Sequence, residues 1–297
     1  MTAATLELVS NGYALSNDAR RLGRLTPSDP HAPMEALREQ FRAQGYLWLK
    51  GILDREAVWD FRRRYFAALA DTGLLALGSD PTDGIHSGVE MPNLNRYLVE
   101  IVRWARYEAF CMSTPIIEFY EAFFGGAVFL HKRKLIRHTV PHDPKCTGAH
   151  YDLVYLRGGT DTVCTSWIPI GDCPVEMGGL IYLEGSDAYG RKLEARFSEA
   201  NQNLPPEERI SAFNKNMKEG WLNRNLATLA DEIDSRWLVA DYEVGDMVVH
   251  SAYMIHASTE NTDTHGRMRL STDIRYQRVR DEIDIRWQNH WSFDDML

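Results

Sequence analysis

His150 and Asp152 stand two residues apart in GAHYDLVYLRGG, Gly148 to Gly159, a stretch whose valine and tyrosines favour extended backbone. Side chains on a strand alternate between its faces, so residues two apart share one and both can offer a ligand atom to the same ion. His256, 106 positions further on in the stretch Val248 to Arg269, supplies a third. Two imidazoles and one carboxylate fill half of an octahedron and leave the other half open, the arrangement in which ferrous iron meets oxygen and a substrate.

A His-x-Asp pair is weak by itself in a chain with ten histidines, and its bland reading is a polar strand edge. Rivals for the distal position are His131, His138, His142, His250 and His265. The nearest of them is His250, six residues before His256 in an equally apolar stretch; it reads as a core histidine or as one that supports the ligands.

The surrounding text is more specific. AHYDLVYLRGGTDTVCTSWIPIGDCPVEMGGLIYLEGS, followed by VGDMVVHSAYMIHASTENTDTHGRMRLSTDIRYQ, resembles the phytanoyl-CoA dioxygenase family of Fe(II)/2-oxoglutarate-dependent oxygenases. The likeness runs from roughly Val128 to Arg278, with a weaker echo near the amino end. It implies His150, Asp152 and His256 as iron ligands, MIHASTEN marking the distal one, with 2-oxoglutarate as cosubstrate and O2 as oxidant. The implied reaction releases succinate and CO2 while a C–H bond of a small molecule, such as a secondary metabolite, is oxidised. Hydroxylation is its simplest outcome; desaturation, ring closure and epimerisation are others.

A 2-oxoglutarate bound in this way needs a fixed cation for its far carboxylate, and the planar fork of arginine suits it. Arg267 lies 11 positions after the distal histidine, which is similar to the family's spacing, and Arg269, on the same strand face, is the alternate. Ser258 and Trp167 resemble family positions near the cosubstrate, with turn former and core aromatic as their plain readings. Halogenating relatives replace the carboxylate with a small residue; Asp152 is present, so oxygen transfer is expected. Where many members have Gly-Ser-His, this chain has Gly185, Ser186 and Asp187. The alternative reading is a metal-dependent isomerase, or a jelly-roll binding protein without turnover.

Short strands separated by hairpin-type turns suggest a sandwich or barrel, which would bring residues 106 positions apart together. The resemblance implies a mainly β chain with flanking helices: a double-stranded β-helix (jelly-roll or cupin-like) barrel with N-terminal helices and a helical insertion, in one domain over 1–297. Residues 1–33 read as a loosely held arm, and 34–126 as a helical flank. Asp54 caps a helix from Arg55 to about Asp71, and a loop, 74–95, is expected to cover the site. Barrel strands are expected in 127–188 and 238–280, including one over 148–156 that carries both His150 and Asp152. Between them 189–237 is a charged helical insertion, read equally as a solvated flap or a pocket wall; 281–297 is a tail with Trp287, Trp291 and Phe293.

Composition narrows the partners. With 44% hydrophobic and 25% charged residues the chain is ordinary for a globular protein, and its formal charge of −9 argues against nucleic acid. No apolar run is long enough for a membrane span and no signal peptide is read, so a cytoplasmic setting is expected. The four cysteines show no short metal spacing and no disulfide framework. HKRKLIRH, His131 to His138, is the one basic run and reads as a strand with a basic edge, so an acyl-CoA substrate is not expected.

Overall fold

The computed structural model describes residues 7–91, 94–205, 208–209 and 221–292. Its strands are β1 (Val9–Ser10), β2 (Tyr13–Ala14), β3 (Leu22–Arg24), β4 (Tyr46–Leu49), β5 (Val128–Leu130), β6 (Leu135–Thr139), β7 (Cys164–Pro169), β8 (Leu180–Leu183), β9 (Trp237–Val239), β10 (Met247–Ser251), β11 (His256–Ser258) and β12 (Arg269–Arg278). The helices are α1 (Met34–Gln44), α2 (Arg55–Ala67), α3 (Leu94–Ile101), α4 (Ala105–Cys111), α5 (Thr114–Phe124), α6 (Leu153–Leu156), α7 (Ser186–Ala200) and α8 (Leu226–Glu232). This is a mixed α and β fold rather than a mainly β one, because helical residues outnumber strand residues among those described.

Two sheets carry the architecture. One runs β4-β10-β7-β12-β5, with β6 also paired to β12; the other runs β11-β8-β9-β3. Alternation along the strands shows how they are disposed. Leu47 and Leu49 of β4, and Met247 and Val249 of β10, join the cluster that also holds Val58, Phe61 and Tyr120 from α2 and α5. Their neighbours Tyr46, Trp48 and Val248 join a different cluster, with Leu180, Tyr182 and Leu238 of the second sheet. The two sheets therefore face each other, and the helices cover the back of the larger one. Tyr46 stacks on Tyr182 across the gap at 5.2 Å. Each large apolar side chain buried in this way contributes about 1.5–3 kcal/mol.

The inner face of β12 is exceptional. Leu270, Ile274 and Tyr276 turn toward the helices, which leaves Arg269, Ser271, Asp273, Arg275 and Gln277 on the other face, all buried. Five polar side chains in a row between two sheets form a ready frame for charged ligands.

Several expectations change. Residues 7–33 are not a loose arm: Leu8, Leu15 and Leu25 are buried, and β3 pairs in parallel with β9. The helical flank is broken between α3 and α4, and the barrel segment from residue 238 is interrupted before β10 at Gly245, where φ is +97°. Asp54 caps α2 as expected, accepting the Glu56 N–H at 2.9 Å. The described part of loop 74–95 packs on the start of β12, where His86 N–H donates to the Gly266 carbonyl and Ile85 bridges to Arg267. Residues 1–6, 92–93, 206–207, 210–220 and 293–297 lie outside the described set, and with them the centre of the predicted insertion and Phe293.

Candidate metal centre

His150 and His256 face each other as a reciprocal backbone pair, His150 N–H donating to the His256 carbonyl at 3.1 Å and His256 N–H returning at 2.9 Å. The pairing sets their rings side by side, with centroids 4.2 Å apart. The strand predicted over 148–156 does not form. Extended pairing stops at His150, Asp152 takes helical dihedrals (φ −69°, ψ −27°) and α6 follows. The β preference of Val154 and Tyr155 loses to burial of Leu153, Val154 and Leu156 in the cluster behind the smaller sheet. His150 and Asp152 thus share a target without sharing a strand, because the turn at Asp152 swings its carboxylate back toward the imidazoles.

His150, Asp152 and His256 are buried, and each offers one ligand atom within 4.8 Å of the others. Nδ1 of His150 lies 2.9 Å from the Gly148 carbonyl and Nδ1 of His256 lies 2.9 Å from the Met254 carbonyl. A carbonyl oxygen only accepts, so each Nδ1 carries the proton and each Nε2 keeps a free lone pair. These Nε2 atoms stand 3.7 Å and 3.6 Å from Asp152 Oδ1. Oδ1 is buried with no hydrogen-bond partner. A cation bound at about 2.1 Å to each atom separates its ligands by roughly 3–4 Å, so an ion is what this set of orphaned acceptors fits.

The other carboxylate oxygen, Oδ2, is fully engaged. It accepts from Thr165 Oγ1, from His250 Nε2 at 3.3 Å and from Arg275 Nη2 at 3.1 Å. Burial by itself would raise the Asp152 pKa, but the Arg275 guanidinium and the His250 hydrogen bond outweigh it and hold the carboxyl well below its usual range. Burial pushes His150 and His256 downward. The site therefore holds one carboxylate and two neutral imidazoles, the protonation states a divalent metal requires. His250, the sequence's nearest rival, is a support: Tyr182 Oη lies 2.7 Å from its Nδ1, while its Nε2 faces Asp152.

Beside the triad opens a cavity of about 180 Å³, lined by Arg133, Leu135, Arg137, His150, Asp152, Tyr155, Trp221, Arg275 and Trp287. The insertion is a wall here. Residues 222–223 pair with Ala149, and the Trp221 ring stands 5.2 Å from that of His150. The tail closes another side, Trp287 Nε1–H donating to the Tyr155 carbonyl at 3.0 Å. No described residue of loop 74–95 lines this cavity. A larger groove of about 330 Å³ between α2 and α4 contains none of the triad.

The two arginines read from the sequence separate clearly. Arg267 is two-fifths exposed and spends its fork on Asp263, with Nη2 to Oδ1 at 2.5 Å. Arg269 is buried, donating to the Gly178 carbonyl and to Thr139 Oγ1 at 2.6 Å, with Nε unpartnered. Ser258 is buried, its Oγ accepting from Thr147 N–H at 3.0 Å. Trp167 packs in the inter-sheet cluster, its ring 4.8 Å from that of Tyr242. Arg275, Thr165, Trp221 and Trp287 were not singled out from the sequence as site residues. Arg275 had a legible signal, since it continues the two-residue steps from Arg267 and Arg269 along one face.

Fold and site together define an enzyme class whose metal is gripped by two histidines and one carboxylate between facing sheets. Residues 41–269 match the family model for phytanoyl-CoA dioxygenase (PhyH), and the chain belongs to that family. It is an oxygenase that uses iron and 2-oxoglutarate. It is similar to a 1-deoxypentalenic acid 11-beta-hydroxylase of Streptomyces arenae, 28% identical over 261 residues, covering 82% of this chain and 81% of the relative. The same-named hydroxylase of Streptomyces exfoliatus is 26% identical over 267 residues, with coverages of 82% and 81%. Among solved structures, the epimerase SnoN in complex with Fe3+, alpha ketoglutarate and nogalamycin RO superposes with a TM-score of 0.56 at 20% identity, covering 86% of this chain and 87% of that one.

Proposed function

We propose that the chain hydroxylates a C–H bond of a small organic molecule, with His150, Asp152 and His256 as iron ligands in a double-stranded β-helix. The observation that carries the assignment is the unpartnered Asp152 Oδ1, buried and facing two Nε2 lone pairs. Iron held by these three residues would couple O2, the oxidant, to decarboxylation of 2-oxoglutarate, one oxygen atom going to succinate and the other to the substrate C–H bond. The protein's own residues do the rest. Thr165, His250 and Arg275 tie down Oδ2, so Asp152 would offer a single oxygen, Oδ1, to a metal. Arg269, enclosed where Arg267 is not, is the cation for the far carboxylate of 2-oxoglutarate, with the buried Ser258 as a further cosubstrate-side residue. Trp221, Tyr155 and Trp287 keep bulk water from the reacting face.

Hydroxylation is favoured over halogenation because the carboxylate is present, and it is the activity named for both curated relatives. Their carboxylic acid substrate points to a small metabolite here also. The test is anaerobic addition of Fe(II) and 2-oxoglutarate, which gives a weak visible charge-transfer band, followed by oxygen-dependent succinate release. Asp152→Ala abolishes both; an Asp152→Ala protein that forms succinate at the wild-type rate overturns the ligand assignment.

A further inference from the structure

The turn that aims Asp152 is too short to hold its own shape. Helix α6 has four residues, Leu153–Leu156, and the bond from Val154 N–H to the Tyr151 carbonyl is long at 3.4 Å. A single turn fixes several dihedrals in return for very few hydrogen bonds, so a helix of this length owes its shape to what grips it from outside. Within the turn, the Ala252 carbonyl holds Leu153 N–H at 2.8 Å, and the Trp287 and Arg286 side chains hold the Tyr155 carbonyl. Both ends of the turn are held by one carboxylate. Glu194, buried on α7, accepts from Tyr151 Oη at 2.7 Å just before it and from Arg157 just after it, Nε to Oε1 at 2.5 Å and Nη2 to Oε2 at 3.0 Å. Tyr151 stands between the two ligands His150 and Asp152, and Arg157 is the C-cap of α6. A two-pronged contact between guanidinium and carboxylate fixes direction as well as distance.

Helix α7 also reaches the other ligand segment. Ser186, Gly190 and Glu194 follow one another at intervals of four and share a helix face. Ser186 Oγ accepts from Ile255 N–H, next to His256, at 3.0 Å. A β-carbon on Gly190 would run into the Tyr253 carbonyl, and Arg191 Cζ lies 4.1 Å from the centroid of the Tyr253 ring. One helix therefore braces both segments that carry the triad. We infer that Glu194 is a positioning residue of the iron centre: through Tyr151 and Arg157 it sets the turn that presents Asp152 Oδ1, and through α7 it ties that turn to the segment bearing His256. The inference rests on the metal reading above. Thr165, His250 and Arg275 act on the carboxylate itself, whereas Glu194 acts on the backbone that carries it.

The experiment titrates the full-length protein with Mn(II) by calorimetry and unfolds each variant in EDTA. Glu194→Gln keeps the shape of the side chain but offers one acceptor oxygen where Tyr151 and Arg157 bring three donors. Its folded form is expected to bind Mn(II) about tenfold more weakly than wild type. Tyr151→Phe, which removes a hydroxyl and no charge, loses about threefold. In Glu194→Gln the visible charge-transfer band of the anaerobic protein with Fe(II) and 2-oxoglutarate also shifts, because the carboxylate ligand has moved. Should Glu194→Gln not fold, its buried guanidinium being stranded, the triple variant Tyr151→Phe/Arg157→Met/Glu194→Leu is read instead. It makes the network apolar at unchanged net charge, and is expected to unfold in EDTA much as wild type does yet bind Mn(II) about tenfold more weakly. The inference is overturned if the folded variants melt earlier in EDTA but bind Mn(II) as tightly as wild type and leave the band in place, since Glu194 would then support only the fold. Wild-type protein that takes up no Mn(II) overturns the triad reading and this inference with it; wild-type affinity retained by the variants overturns this inference alone.

Discussion

Asp152 has two oxygens with different duties, and the difference rests on side chains one shell out. Oδ1 is left bare for a cation while Oδ2 collects Thr165, His250 and Arg275. Removing one of these donors without altering shape isolates its role. Thr165→Val keeps the β-branched form on β7 and loses only the hydroxyl, so the carboxylate gains freedom to turn. Metal affinity is expected to fall about tenfold, the lower end for groups that orient a ligand. Titration with Mn(II) checks this, and Thr165→Ser should recover most of the loss because the hydroxyl returns; a lesion that Ser cannot repair would indicate packing instead. At this scale the sequence was informative for the triad. Choosing between Arg267 and Arg269 was not open to spacing, because the choice depends on Asp263, which captures the first guanidinium four residues away.

Elements deliver these residues through turns as much as through strands. Gly178 joins a 3-10 turn to β8 with φ +71°, and its carbonyl accepts from Arg269. A β-carbon there would collide with the Thr259 carbonyl, on the segment just after the distal histidine strand. Gly178→Ala therefore combines left-handed strain with a backbone clash. It is expected to cost more than about 2 kcal/mol in denaturant unfolding and to weaken 2-oxoglutarate binding by displacing Arg269. A variant that unfolds like wild type would show that this turn bears no strain. Most helices and β-strands were legible from their apolar periods and their glycine and aspartate ends. The segment after His150 was not: Leu153, Val154 and Leu156 read as strand residues, yet a four-residue helix buries them. A second unread link is the buried network in which Arg157 Nε meets Glu194 Oε1 at 2.5 Å and Tyr151 Oη donates to Glu194 at 2.7 Å. It fastens α7 to the ligand-bearing segment, and pairing at 37 and 43 positions' distance leaves no periodic trace.

Across the whole molecule, the ligands come from segments far apart in sequence, so the metal and keto acid recognise only the folded chain. Among the described residues no helix is long and apolar enough to cross a membrane. Ligand present at a hundredfold over its dissociation constant stabilises a native state by about 2.7 kcal/mol. Scanning calorimetry should accordingly show a Tm several degrees higher with Mn(II) and 2-oxoglutarate than with EDTA, and no such rise in Asp152→Ala. Equal melting of wild-type protein in both conditions would mean that the triad does not bind the ion.

The spacing of the two imidazoles is set by a reciprocal peptide pair, made by backbone atoms alone. A cage spaced by the backbone has little means of rejecting the wrong guest. First-row dications later than iron in the affinity series would occupy it at least as firmly. Choice of iron would then fall to the supply of ions in its surroundings, and protein purified over nickel or grown with excess zinc would come out full and silent.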